Sequence, residues 1–188
     1  MATRREELTE RATDYALEHG LVGLSLRPLA ESLGTSDRML LYHFGDKDNL
    51  VTAILRTSNA RSMQGIRDLP ASVDLRAAVV DLWRTVSRGH QQRCQRLYVE
   101  AAALGLFGRE PYVTEVRDAN AAWMSALADH LVAAGVPRVE SRRVAKLVDS
   151  AFVGLQMDQP LESAARQRRT VGDLADAVAE RWGQPGSA

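Results

Sequence analysis

Hydrophobic residues recur along the chain at intervals of three and four positions, in successive segments bounded by Gly, Pro, Ser, Thr or Asp. This spacing places apolar side chains on one face of an α-helix. No segment shows the sustained alternation of β-branched and polar residues that indicates a strand, and the sequence contains no Asn-Gly or Asp-Gly hairpin turn. The pattern therefore predicts an all-α fold.

Short helices are predicted in the first fifty residues. Thr3 and Glu6 have the spacing of a capping box, at the start of a helix that ends before Gly20. Two helices of nine residues each follow, over 25–33 and 36–44, and each begins at a serine that can act as its N-cap. A fourth helix is predicted over about 47–67.

Longer amphipathic helices are predicted beyond residue 70, and they cover 73–91, 93–107, 111–134, 139–158 and 167–182. The change in helix length suggests an N-terminal domain over residues 1–50 and a helical C-terminal domain over 51–182. Residues 183–188, which are rich in Gly, Pro and Ser, are predicted to be a disordered tail.

The two short helices are joined by Gly34 and Thr35, which is the spacing of a helix-turn-helix. The second helix of this motif enters the DNA major groove with its N-terminal residues at the base edges. The residues predicted to contact DNA from this helix are Ser36, Asp37, Arg38, Met39, Tyr42 and His43. Guanine is the expected target of Arg38, whereas Met39 either contacts a thymine methyl group or belongs to the core.

Over roughly residues 6–55 the sequence resembles the tetracycline-repressor (TetR) family of transcription regulators. The resemblance rests on Leu8, Ala12, Tyr15, Ala16 and Gly20, on Leu24–Ala30 and Leu33–Ser36, and on Tyr42, His43, Phe44, Lys47 and Leu50. It implies a three-helix DNA-binding domain in which 36–44 is the recognition helix, Phe44 is its buried anchor and Lys47 contacts the DNA backbone. Leu41 stands where the family has tyrosine, and Tyr42 is the alternative source of that phosphate contact. Ser25, Arg27 and Thr35 complete the predicted DNA-binding set.

The resemblance also implies a ligand cavity inside the C-terminal domain. The candidate lining residues are Trp83, His90, Tyr98, Phe107, Trp123, Met124, Leu127, Phe152 and Gln156. Each of them could instead be an ordinary structural residue of a helical core. The expected effector is a small, largely apolar molecule held by a few polar groups.

Apolar stripes on the last two helices predict a surface on which two copies of the chain pair as a homodimer. The stripes consist of Val144, Val148, Phe152 and Leu155 and of Val171, Leu174, Ala175, Val178 and Trp182. The alternative is that both stripes face the core of their own chain.

Charge and motif content limit the other classes of function. The chain has 24 basic and 24 acidic residues, and its first fifty residues have six basic and nine acidic ones, a net charge of −3. This acidity slightly favours an alternative in which the motif docks a protein rather than DNA. Because no GxSxG, HExxH, GxxxxGK or CxxC motif occurs, catalysis, metals and cofactors are not expected. A small helical enzyme is the least favoured of the alternatives.

The cellular setting is predicted from what the sequence contains. A single cysteine, a charged N-terminus and the lack of a long apolar segment favour the cytoplasm over a membrane. The predicted function is a ligand-responsive repressor that is released from double-stranded operator DNA by a small molecule.

Overall fold

The computed structural model describes residues 3–183, and within this range it contains nine α-helices and no strand. The helices are α1 (Arg4–His19), α2 (Leu26–Leu33), α3 (Asp37–Phe44), α4 (Lys47–Arg67), α5 (Leu75–Val86), α6 (Gly89–Leu106), α7 (Tyr112–Ala133), α8 (Ser141–Met157) and α9 (Ala164–Trp182). The predicted all-α fold is confirmed. The predicted disordered tail lies, apart from Gly183, outside the described residues. None of the described helices is both long enough and apolar enough to cross a membrane.

Capping residues explain where most helices begin. At the start of α1 the Glu6 N–H donates to the Thr3 hydroxyl at 3.2 Å, and the Thr3 N–H donates to the Glu6 carboxylate at 2.7 Å, which is the predicted capping box. Ser163 caps α9 by accepting a hydrogen bond from the Arg166 N–H. Because of this cap, α9 begins at Ala164 rather than at the predicted residue 167.

The described residues form two compact units, and each unit is built from two stretches of the chain. The first unit comprises residues up to 62 together with 92–120, and the second comprises 63–91 together with the residues from 121 onwards. The units therefore differ from the predicted division at residue 50, because most of α6 and the start of α7 belong with the N-terminal helices.

The first unit has one apolar core to which five helices and the intervening turns contribute. Leu8 and Ala16 of α1, Leu29 and Leu33 of α2, Leu40 and Phe44 of α3, Leu50 and Ile54 of α4, and Leu97 and Ala101 of α6 are all buried in it. Burial of a large apolar side chain stabilises the fold by roughly 1.5–3 kcal/mol. The short helices α2 and α3 therefore depend on α1, α4 and α6 for their position.

The core of the second unit contains most of the residues that were predicted to form the dimer interface. Val144, Val148, Phe152, Leu155, Val171, Ala175 and Val178 are buried there, and Leu174 and Trp182 pack against them partly buried. A side chain that is buried within one chain offers no surface to a second copy. The seven buried residues therefore face the core of their own unit, as the alternative states, and the prediction that they form the dimer interface is wrong. The place of the partly buried Leu174 and Trp182 in an interface stays a prediction.

Candidate nucleic-acid interface

The turn between α2 and α3 gives the motif its geometry. Gly34 adopts the left-handed conformation, with φ at +65° and ψ at 37°, and its N–H donates to the carbonyl of Glu31 at 3.1 Å. The next N–H, of Thr35, donates to the carbonyl of Ala30 at 2.9 Å. Glycine adopts this conformation without the steric penalty of a side chain. The chain thus leaves α2 sharply, and Ser36 starts α3 by accepting a hydrogen bond from the Met39 N–H at 3.2 Å.

The inner face of α3 is fixed by two apolar side chains and by one arginine of α1. Leu40 and Phe44 are buried, as the resemblance implies for Phe44. The Arg5 guanidinium lies 5.3 Å from the centroid of the Phe44 ring. Its Nε also donates to the carbonyl of His43 at 3.2 Å, near the end of the helix. These contacts hold α3 against α1 and determine which residues face outwards.

The outer face of α3 carries large side chains that the first unit leaves exposed. Tyr42 is 78% exposed, Met39 is 42% exposed and Leu41 is 40% exposed, while Asp37 and Arg38 are exposed beside them. Met39 is therefore a surface residue rather than a core residue. A cluster of exposed apolar and aromatic side chains with an arginine is typical of a recognition surface.

His43 and Arg27 differ in how far their side chains are available to DNA. The Nε2 atom of His43 is buried and has no hydrogen-bond partner, while its ring lies edge-on to Tyr42 at a centroid distance of 5.2 Å. The Nε2 atom of His43 is thus enclosed by the first unit, while the residue as a whole is half-buried, and its contact with DNA stays a prediction. Arg27 remains exposed and forms a surface ion pair with Glu31 at 3.2 Å. Such exposed ion pairs contribute little to stability, so Arg27 can bind another anion in place of Glu31.

The start of α2 lies beside the start of α4. The Lys47 ammonium donates to the carbonyl of Leu24, the residue before Ser25. Ser25 stands at the N-cap of α2 but makes no capping hydrogen bond. The first N–H groups of a helix have no partner inside the helix and favour an anion. Lys47 and the N-terminus of α2 together present positive charge of the kind that a DNA phosphate requires.

Several acidic side chains of α1 form ion pairs with arginines. Glu10 and Asp14 of α1 both bind Arg61 of α4, and Glu7 binds Arg4 at 2.8 Å. Burial acts to lower the pKa of Arg61, but hydrogen bonds to these two carboxylates outweigh it, and the pKa is raised. The acidity of the first fifty residues therefore overstates the negative charge beside α3.

The predicted ligand-lining residues do not form one group in the structure. Tyr98 and Phe107 belong to the first unit, and the other seven predicted residues belong to the second. Phe107 is 82% exposed, because it follows the last residue of α6 on a surface turn. The prediction that Phe107 lines a cavity is therefore wrong. His90 is also exposed.

Within the second unit, two of the predicted aromatic residues are in contact. The Trp83 and Phe152 rings are 5.2 Å apart and buried, and Leu127 belongs to the same core, with Met124 packed against it. The Trp123 indole N–H donates to the Asp149 carboxylate at 2.8 Å. Two surface clefts, at α1 with α4 and at α5 with α9, are lined by none of the predicted ligand residues.

Sequence patterns miss two residues of α6 that bind the backbone just before the helix-turn-helix. Arg96 and Glu100 bind backbone groups of α1 and of the turn that follows it, which lie 78 or 79 positions earlier in the chain. One signal in the sequence could have pointed to Glu100, since it is the single acidic residue between 89 and 106.

This arrangement of α1, α2 and α3 is that of a helix-turn-helix protein, and comparison with known proteins agrees with it. Residues 8–54 match the family model described as bacterial regulatory proteins, tetR family. The HTH-type transcriptional repressor AcnR of Corynebacterium diphtheriae is 35% identical over 68 residues, which are 36% of this chain and 36% of the relative. The chain thus matches about a third of the length of that relative.

Solved structures extend the likeness of fold to nearly the whole chain. A transcriptional regulator from Rhodococcus sp. Rha1 has a TM-score of 0.78 at 21% identity, over 96% of this chain and 98% of that one. A protein from Saccharomonospora viridis, solved in complex with choline, has a TM-score of 0.74 at 16% identity, over 96% and 98% of the two chains. The match to the tetR family model thus covers the N-terminal helices, and the solved structures show that the remaining helices share the fold of these regulators.

Proposed function

We propose that this protein is a transcriptional repressor that binds operator DNA through α3. The observation that carries the proposal is the exposed face of that helix, on which Arg38 lies beside Tyr42, the latter 78% exposed. A protein that used α3 only for folding would gain nothing from an aromatic side chain left in water. The arginine can bind guanine through two hydrogen bonds, and the tyrosine can contact a phosphate or a thymine methyl group.

The second part of the proposal is that two copies bind one operator. Exposed apolar side chains remain on α8 after its buried stripe has packed inwards, namely Leu147 at 48% and Met157 at 61%. Gly154 is also exposed, and a Cβ atom there would meet nothing within 4 Å. The spacing of these three residues places them on one face, where a small residue allows a second helix to approach closely. A two-fold dimer would present two copies of α3 to successive major grooves.

The third part is that a small molecule controls the repressor from the second unit. Its helices contain buried polar atoms without a hydrogen-bond partner, His130 Nε2 on α7 and Gln156 Oε1 on α8. Buried polar atoms in native proteins are normally satisfied, so an exception calls for a ligand or a water. The choline complex of the Saccharomonospora viridis protein supports a small-molecule effector, since that protein has the same fold. The proposed place of action is the cytoplasm, where operator DNA is found.

Selection from DNA of random sequence tests this function and identifies the operator in the same experiment. We expect the purified protein to enrich one duplex with two related half-sites, separated by about one helical turn of roughly 34 Å or a multiple of it. Tyr42→Ala and Arg38→Ala should weaken binding to that duplex. Arg84→Ala, which removes an exposed arginine of α5, is the matched control and should bind as the parent does. If no sequence is enriched, the repressor proposal fails and the protein-docking alternative gains support.

A further inference from the structure

Glu100 of α6 holds the turn between α1 and α2. Its Oε2 atom accepts hydrogen bonds from the N–H groups of Leu21 at 2.6 Å and Val22 at 3.2 Å. Neither N–H group is part of a helix, so the carboxylate supplies the partner that the local backbone does not. Hydrogen bonds from N–H groups to a carboxylate are about twice as strong as those between neutral groups.

Arg96, one helical turn before Glu100, binds the end of α1. Its Nη2 atom donates to the carbonyl of Leu17 at 2.8 Å and to the carbonyl of Glu18 at 3.1 Å. The last carbonyls of a helix lack partners within it and favour a cation. Arg96 and Glu100 thus bind the two sides of one backbone corner, with a separation of 3.8 Å between their own charged groups.

Gly20 makes room for this arrangement. Its φ is +84°, and a Cβ atom at this position would lie 2.7 Å from Oε2 and 2.9 Å from Oε1 of Glu100. Residue 20 therefore does more than end α1. The absence of a side chain lets the carboxylate approach the backbone closely enough to reach the two N–H groups that follow.

The corner is linked by hydrogen bonds to the proposed phosphate contact. The Leu24 N–H donates to the carbonyl of Leu21 at 3.0 Å, so the residue held by Glu100 also closes the next turn of the backbone. The carbonyl of Leu24 accepts from the Lys47 ammonium. A continuous series of contacts therefore runs from Glu100 through Leu21 and Leu24 to Lys47, at the start of α4.

We propose that Arg96 and Glu100 are positioning residues for DNA binding, which set the start of α2 and the Lys47 ammonium in the place that the operator requires. This inference rests on the proposed function, because it assigns to α6 a part in operator binding without contact to DNA.

The test compares Glu100→Ala with the conservative Glu100→Gln, using the duplex that the parent protein enriches from random DNA. Loss of both hydrogen bonds should weaken binding to this duplex about tenfold, whereas the glutamine oxygen can still accept and should restore most of the affinity. Amide hydrogen exchange should become faster at Leu21 and Val22 in the alanine variant and stay unchanged in α7.

Arg96→Ala is the second variant, and it tests the same proposal should Glu100→Ala fail to fold. Its matched control is Arg93→Ala, which removes another exposed arginine of α6 at a distance of three residues. We expect weaker binding for the first variant and parent-like binding for the second.

The results of these experiments distinguish a failure of the positioning role from a failure of the repressor function. If the parent enriches a duplex but Glu100→Ala and Arg96→Ala bind it as tightly as the parent, the positioning role is overturned and the repressor function stands. Weaker binding together with faster exchange in every helix would also overturn it, since lost stability would then explain the result. A parent protein that enriches no duplex overturns both proposals.

Discussion

Arg56 on α4 donates two hydrogen bonds to Glu115 on α7, from Nε to Oε2 at 3.0 Å and from Nη2 to Oε1 at 2.9 Å. The two side chains differ in environment, since Glu115 is 6% exposed and Arg56 is 67% exposed. The hydrogen bonds to Glu115 and the charge of its carboxylate raise the pKa of Arg56. The buried carboxylate therefore depends on the arginine, whereas the arginine can be solvated without it.

This asymmetry gives a prediction about stability. Arg56→Ala leaves a buried carboxylate without its partner and should lower the free energy of unfolding by about 1–3 kcal/mol. Glu115→Gln keeps the volume and one acceptor oxygen and leaves an arginine that water can solvate, so its effect should be smaller. Urea unfolding followed by circular dichroism measures both. A larger loss for Glu115→Gln than for Arg56→Ala would contradict the account.

A second prediction concerns pH. Burial lowers the pKa of His130 below its ordinary value of 6.5, and the charge of Asp81 opposes this only in part. At a pH between the lowered pKa of His130 in the folded chain and its ordinary pKa in the unfolded chain, the unfolded chain binds a proton that the folded chain does not. The contribution of His130 to stability is therefore complete above pH 6.5 and is lost as the pH falls below it.

The check is the free energy of unfolding at about pH 8 and about pH 5.5, for the parent and for His130→Gln. Glutamine keeps a polar side chain but does not titrate. The parent should lose more stability between the two pH values than the variant does. Equal losses would show that His130 makes no contribution to the pH dependence.

A third prediction separates the buried face of the last two helices from the exposed one. Leu147→Asp changes a half-exposed residue of α8 and should leave the fold intact, while a charge placed in the proposed interface prevents pairing. Val178→Asp places a charge in the core of the second unit and should unfold that unit.

Light scattering at micromolar concentration, together with circular dichroism, distinguishes the two outcomes. The parent should have twice the chain mass of 20.7 kDa, and Leu147→Asp should have the mass of one chain with unchanged helical content. A dimeric Leu147→Asp variant would place the interface elsewhere.

A fourth prediction compares two cations of the motif. Arg38→Ala should weaken binding to the operator by roughly 1–3 kcal/mol and relax the preference at one base pair. Lys47→Ala should weaken binding to all sequences alike and reduce the salt slope by about one unit. Fluorescence anisotropy with the operator and its single-base variants checks both. An unchanged preference in Arg38→Ala would mean that this arginine reads no base.

The presence of most helices, and the caps at Thr3 and Ser36, could be predicted because they depend on neighbouring residues. Thr3 and Glu6 lie three positions apart, and the glycine that ends α2 follows it directly, so both signals are local in the sequence. The burial of Phe44 was implied by the family resemblance, and Leu40, which the structure buries beside it, lies four residues earlier on the same helical face.

The dimer surface and the α6 contacts could not be predicted in the same way. Periodicity identifies the buried face of a helix but not the element that covers it. The stripe that includes Val178 was therefore predicted to pair with a second chain, whereas α9 packs on its own unit. The partners of Glu100 are backbone N–H groups 78 and 79 positions away. Backbone groups look alike in every sequence, and only the fold brings them together.

Equilibrium binding of the parent protein to two duplexes tests whether α3 recognises an operator. One duplex is the enriched sequence, and the other has the same base composition in shuffled order. We expect the enriched duplex to bind at least about a thousandfold more tightly, with an affinity whose logarithm falls linearly as the logarithm of salt concentration rises. Equal affinity for the two duplexes, or binding to neither, would contradict the claim that α3 recognises an operator.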